Sequence, residues 1–163
     1  MSNESEVQPW QGSRPLPSFF LSWRAGFEPG GPGFTPSDYL GQDQAVPFVL
    51  LSAWLFNPET TEHSGGVFLT ERFNADNADK WVAHFGGDVH GAEKMVNGIT
   101  LYDFFTNADL DPYTDEDLAL LAESIAECWR GVLGRRYSDR RITVEVSGQR
   151  DEEYGPRITF WSA

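Results

Sequence analysis

Imidazole and carboxylate side chains come close together at one place in the chain, His84-x-x-x-Asp88-x-His90, with His63 upstream as a remote fourth donor. Such a donor set suits Zn²⁺ or another transition metal and would support metal-dependent hydrolysis. The spacing does not suit one helical face, because Gly86-Gly87 interrupts the chain between the two histidines, and the His-Glu-x-x-His pattern of metalloproteases is absent. Each residue also has a plainer role: Asp88 as a helix cap, His84 beside an apolar helix face, His90 in a first turn. The expectation is therefore no bound metal and no cofactor, with His84, Asp88 and His90 kept as the candidate set for a hydrolase.

Asn107, Asp109, Asp111 and Asp115 fall at positions 1, 3, 5 and 9 of a twelve-residue calcium loop. Position 6, which needs glycine, is Pro112, and position 12, which needs a bidentate glutamate, is Leu118. A turn leading into a capped helix accounts for the same residues. The single cysteine, Cys128, shares the spacing of Leu121, Ile125 and Val132 and reads as a small buried hydrophobe rather than an activated thiolate. No Gly-x-Ser-x-Gly elbow is present, and Ser64 beside His63 is only a chain neighbour. Gly30-Gly31-Pro32-Gly33 lacks the Lys-Ser/Thr of a phosphate-binding loop. The basic cluster of Arg135, Arg136, Arg140 and Arg141 sits where a helix C-terminus attracts cations in any case, so no direct nucleic-acid binding is expected.

The elements that would position these groups follow from periodicity. Residues 1–17 are polar, acidic and proline-punctuated, and read as a flexible arm ahead of one domain at 18–163. Phe19–Trp23 and the apolar run Phe48–Phe56 read as strands, with a Gly/Pro-rich loop at 25–44 between them, part of which should pack down because Phe27, Phe34 and Tyr39 sit within it. Val67–Phe73 alternates as a further strand. Helical spacing then takes over. Asn74 caps a helix with Ala78, Trp81, Val82 and Phe85 on one face, and Gly86-Gly87 ends it. Asp88 caps a second helix through Asn97 with Ala92, Met95 and Val96 inward, and Ile99–Phe105 leans to helix. Thr114 caps the longest helix, with Leu118, Leu121, Ala122, Ile125, Trp129, Val132 and Leu133 as its stripe. Ile142–Val146 and Ile158–Trp161 alternate as a terminal hairpin. The pattern predicts an α+β fold: an antiparallel sheet of four to five strands, built from the N-terminal strands and the C-terminal hairpin, with the central helices on one face.

What remains is charge. Against 12 basic residues stand 25 acidic ones, a net charge of −13 on 163 residues, while 40% of the chain is hydrophobic and 14% aromatic. That composition folds, and its field repels phosphate backbones and attracts basic surfaces. The longest apolar stretch, Val46–Phe56, is about half of the ~20 residues a membrane span needs, and no signal peptide is recognisable, so a soluble cytoplasmic protein without membrane attachment is expected. With no assembled active-site signature, the sequence favours a non-enzymatic acidic partner-binding protein, of the kind that inhibits or gives immunity to a basic toxin or nuclease. Its contacts would be Asp109, Asp111, Tyr113, Asp151, Glu152, Tyr154 and Trp161, acids meeting Lys or Arg and rings filling pockets. A metal-dependent hydrolase is the alternative and a structural or assembly subunit a further one; the chain would be a monomer or a small homo-oligomer.

Overall fold

The computed structural model describes residues 15–27, 34–42, 45–148 and 155–163. The fold class is α+β, with helices more prominent than the sequence suggested. Three helices lead: α1 (Ser18–Ala25), α2 (Pro36–Leu40) and α3 (Val46–Phe56). A tight hairpin follows, β1 (Thr60–His63) and β2 (Gly66–Leu69), then α4 (Ala75–His84) and α5 (Val89–Val96). The short β3 (Ile99–Thr100) runs straight into α6 (Leu101–Phe104), and the long α7 (Asp115–Arg136) precedes the terminal hairpin of β4 (Ile142–Ser147) and β5 (Arg157–Ser162).

The five described strands form two antiparallel sheets rather than one: β1–β2, and β3–β5–β4. The expected N-terminal strands are helices. An uninterrupted apolar run carries no period by which strand and helix can be told apart. Pro47 in the first turn of α3 and Asn57-Pro58 after it are the punctuation of a helix. Of Val67–Phe73 only the first three residues are strand, paired with β1 across a Ser64-Gly65 turn in which both residues have positive φ, the geometry that keeps a two-residue hairpin twisted correctly. Ile99–Phe105 divides between β3 and α6. The terminal hairpin stands as expected, with Ile142 opposite Ser162 and Ser147 opposite Arg157.

The core lies between α7 and the three-stranded sheet. Leu118, Ala122, Ile125, Ala126, Trp129 and Leu133 form the buried stripe of α7 and pack with Val144, Ile158 and Phe160; the Trp129 and Phe160 rings meet edge to face at 5.8 Å. Side chains of α5 join the two sheets. The buried Glu93 carboxylate accepts from Val67 N of β2 (2.7 Å), and from Ser162 N (3.0 Å) and Ser162 Oγ (2.7 Å) of β5. One turn later Asn97 accepts from Leu69 N (2.9 Å) and donates to the carbonyls of Val67 (2.8 Å) and Phe160 (3.1 Å). Backbone groups that a neighbouring strand would otherwise satisfy are satisfied by two side chains on one helix face. Met95, expected inward on α5, is exposed instead.

The basic end of α7 is also structurally engaged. Arg136 donates to the carbonyl of Pro58 (2.7 Å), to Thr60 Oγ1 (2.9 Å) and to Asn57 Oδ1 (3.0 Å), and Arg140 pairs with Glu62 at 3.0 Å. These contacts clamp the β1–β2 hairpin to the helix.

Candidate partner-docking cavity

The first turn of α7 is where local capping and long-range contact coincide. Thr114 Oγ1 accepts from Asp117 N (3.2 Å) and the Asp117 carboxylate accepts from Thr114 N (3.2 Å), a reciprocal capping box. The same carboxylate accepts the backbone N–H of Ser18 (2.8 Å) and the Ser18 hydroxyl, tying the start of α1 to the start of α7. Burial raises the Asp117 pKa, but the hydrogen bonds from Ser18 and Thr114 outweigh it and hold the group below the ordinary aspartate value of 3.8. Next to this junction the Phe19 ring meets Tyr113 edge to face at 5.7 Å and Tyr39 at 5.5 Å.

Between α1, the end of α3 and the first half of α7 opens a cavity of about 690 Å³. Its floor is apolar, from Phe19, Phe56, Phe105, Leu118 and Leu121, and Asp109, Tyr113 and Asp117 stand among its walls. Asp111 lies beside it on the α6–α7 connection, its N–H donating to Asp109 Oδ1 at 3.0 Å. Cys128 lines the same cavity and is exposed, which corrects its expected burial: the inward stripe of α7 runs through 118, 122, 125, 126, 129 and 133, and 128 falls on its flank.

The seven expected contact residues are therefore placed unevenly. Asp109, Asp111 and Tyr113 come together at the cavity, with Tyr113 exposed. Trp161 is on β5, half-buried, with the Lys94 ammonium 3.9 Å from its ring centroid, so it belongs to a different neighbourhood. Asp151, Glu152 and Tyr154 lie outside the described residues.

The histidines have separate partners. His63 Nε2 is 2.7 Å from Asp79 Oδ1; His84 packs edge-on against Trp81 and Phe85; His90 Nδ1 is 3.4 Å from Glu93 Oε2, and its backbone N–H donates to the capping carboxylate of Asp88. Among the described residues no three His, Cys, Asp or Glu side chains are gathered as a metal ion requires. No described helix is long and apolar enough to cross a membrane.

Sequence reasoning missed the cavity, the Ser18–Asp117 tie and the exposure of α3. The first two depend on α1 meeting α7, residues separated by 99 positions in the case of Ser18 and Asp117, and no local pattern reports that. No family model, no curated protein and no solved structure matches this chain.

Proposed function

We propose that this is a non-enzymatic, acidic partner-binding protein that seats a basic segment of another protein at the α1–α7 cavity, in the manner of an inhibitor or immunity protein acting in the cytoplasm. The observation that carries the reading is an apolar cavity with Asp109, Asp111 and Tyr113 beside it, on a chain of net charge −13. An apolar anchor, Leu or Phe, fills the space against Phe56, Leu118 and Leu121, while flanking Lys or Arg side chains pair with Asp109 and Asp111. Complementary charge accelerates encounter and the aromatic contact slows release.

The test uses short synthetic peptides with a Leu or Phe anchor, flanked in one series by Lys and in the other by Glu, titrated against the full chain. The Lys series should bind, its affinity falling as NaCl rises from about 50 to about 300 mM, and Asp109→Lys with Asp111→Lys should abolish it. Equal binding of both series, or no binding of the Lys series, refutes the proposal.

A further inference from the structure

A different surface supports a second kind of association. Helix α3 reads VPFVLLSAWLF, without a charged residue, in a chain of which 23% is charged. It is anchored at its C-terminal turn, where Leu55 and Phe56 pack on the core and the Leu55 carbonyl accepts from Trp129 Nε1 at 2.8 Å. The rest stands out in solvent: Phe48 is 76% exposed, Leu50 and Leu51 66% each, and Trp54 63%, with Val46 and Val49 about half exposed. The hydroxyl of Ser52 is turned back onto the Val49 carbonyl at 2.7 Å and adds little polarity to the surface. With aromatic side chains contributing ~150–250 Å² each, these residues present roughly 700 Å² of apolar surface. That is more than the ~300–600 Å² of the largest patch on an ordinary monomer. One antiparallel contact buries a single face of it, that of Val46, Leu50 and Trp54 at i, i+4 and i+8, roughly half. Such an area is below the ~800 Å² per partner of a standard complex and suits a reversible monomer–dimer equilibrium.

The chemistry of this surface selects its occupant. A basic partner finds no carboxylate between Val46 and Phe56 to pair with. A membrane surface suits helices that carry a strongly polar face, which α3 lacks, and anionic lipid would repel a chain of charge −13. A second copy of this chain meets neither objection. A uniformly apolar helix is complementary to itself, as an isologous two-fold contact demands. It is also a charge-free stretch on which two copies, each of charge −13, can approach without burying like charges. We infer that the protein is a homodimer closed by α3 packing antiparallel on α3 of the second copy, independently of the cavity above.

Sedimentation equilibrium of the full chain tests this. The expected result is a monomer–dimer equilibrium that tightens as NaCl rises from about 50 to about 500 mM, because salt screens the mutual repulsion. That trend is opposite in sign to the one expected for a basic partner. Leu50→Asp should weaken the dimer by about tenfold or more, with unchanged far-ultraviolet circular dichroism. Leu50 lies near the middle of α3, between Val46 and Trp54 on one face, where a two-fold axis brings a residue against its own copy. Leu50→Cys with Cys128→Ser should therefore form a disulfide-linked dimer on oxidation. A monomer mass at both salts at about 100 µM protein overturns the inference. So does association that weakens with salt, a dimer indifferent to Leu50→Asp, a dimer that Leu50→Cys does not cross-link, or a monomer that uses α3 to bind neutral phosphatidylcholine vesicles.

Discussion

Residues 15–56 and residues 57–163 are both rich in apolar side chains, yet they use them in opposite ways. In the second region the large hydrophobics close on one another: Trp129, Leu133, Ile158 and Phe160 are fully buried, and no buried side-chain polar atom among the described residues lacks a partner. In the first, Phe20 is the one described large side chain that is buried. Phe19, Trp23, Phe27, Phe34 and Tyr39 pack ring to ring, with centroids 4.9–5.5 Å apart, in a shallow layer over α1 and α2. Helix α3 projects almost bare. The body buries its own large side chains, whereas the leading helices hold apolar surface that no described residue covers. That contrast places the buried core in one region and, in the dimer inferred above, association in the other.

The sharpest way to break the contrast is to remove the same side chain on each side of it. Trp129→Ala empties a fully buried site and loses the tie to Leu55, and should cost about 3–5 kcal/mol in urea unfolding. Asn97→Ala leaves the backbone groups of Leu69, Val67 and Phe160 without their partner, and should cost about 2–4 kcal/mol by the same measurement. Thr114→Ala removes half of the α7 capping box and should cost about 1 kcal/mol. Trp54→Ala, read at protein concentrations low enough to keep the chain monomeric, should stay within about 0.5 kcal/mol of the parent. A loss for Trp54 comparable to that for Trp129 would erase the distinction between the two regions.

Acid sharpens the comparison at the seam itself. The folded-state pKa of Asp117 is lowered from 3.8, so its contribution is fully present above that value and is lost as pH falls through the lower folded one. The advantage of the parent over Asp117→Asn in urea midpoint should therefore be constant near neutrality and shrink below pH about 4. An advantage that grew on acidification would mean that Asp117 is not held ionised by Ser18 and Thr114.

How much of this was legible in the residues varied with the range of the interaction. The starts of α4, α5 and α7 were readable because Asn74, Asp88 and Thr114 cap backbone N–H groups two or three residues away, and both partners sit within one short window. The terminal hairpin was readable from its strict alternation. Strand β1 was not, because Ser64-Gly65 is a weaker hairpin signal than Asn-Gly or Asp-Gly. Helices α1 and α3 were not, since continuous apolarity fits either a buried strand or a helix. Of the site, Asp109, Asp111 and Tyr113 were picked out by residue type; their company with Phe19, Phe56 and Cys128 was not.

Composition and local order thus settle the acidity, the α+β class, the capped helices and the final hairpin, because charge count, capping and period are properties of neighbours along the chain. Packing alone turns Glu93 and Asn97 inward to join two sheets, sets α1 on α7 around a cavity, and leaves α3 uncovered. Those outcomes depend on contacts between segments far apart in sequence and on which apolar surface no described residue covers, and a linear pattern carries no record of either.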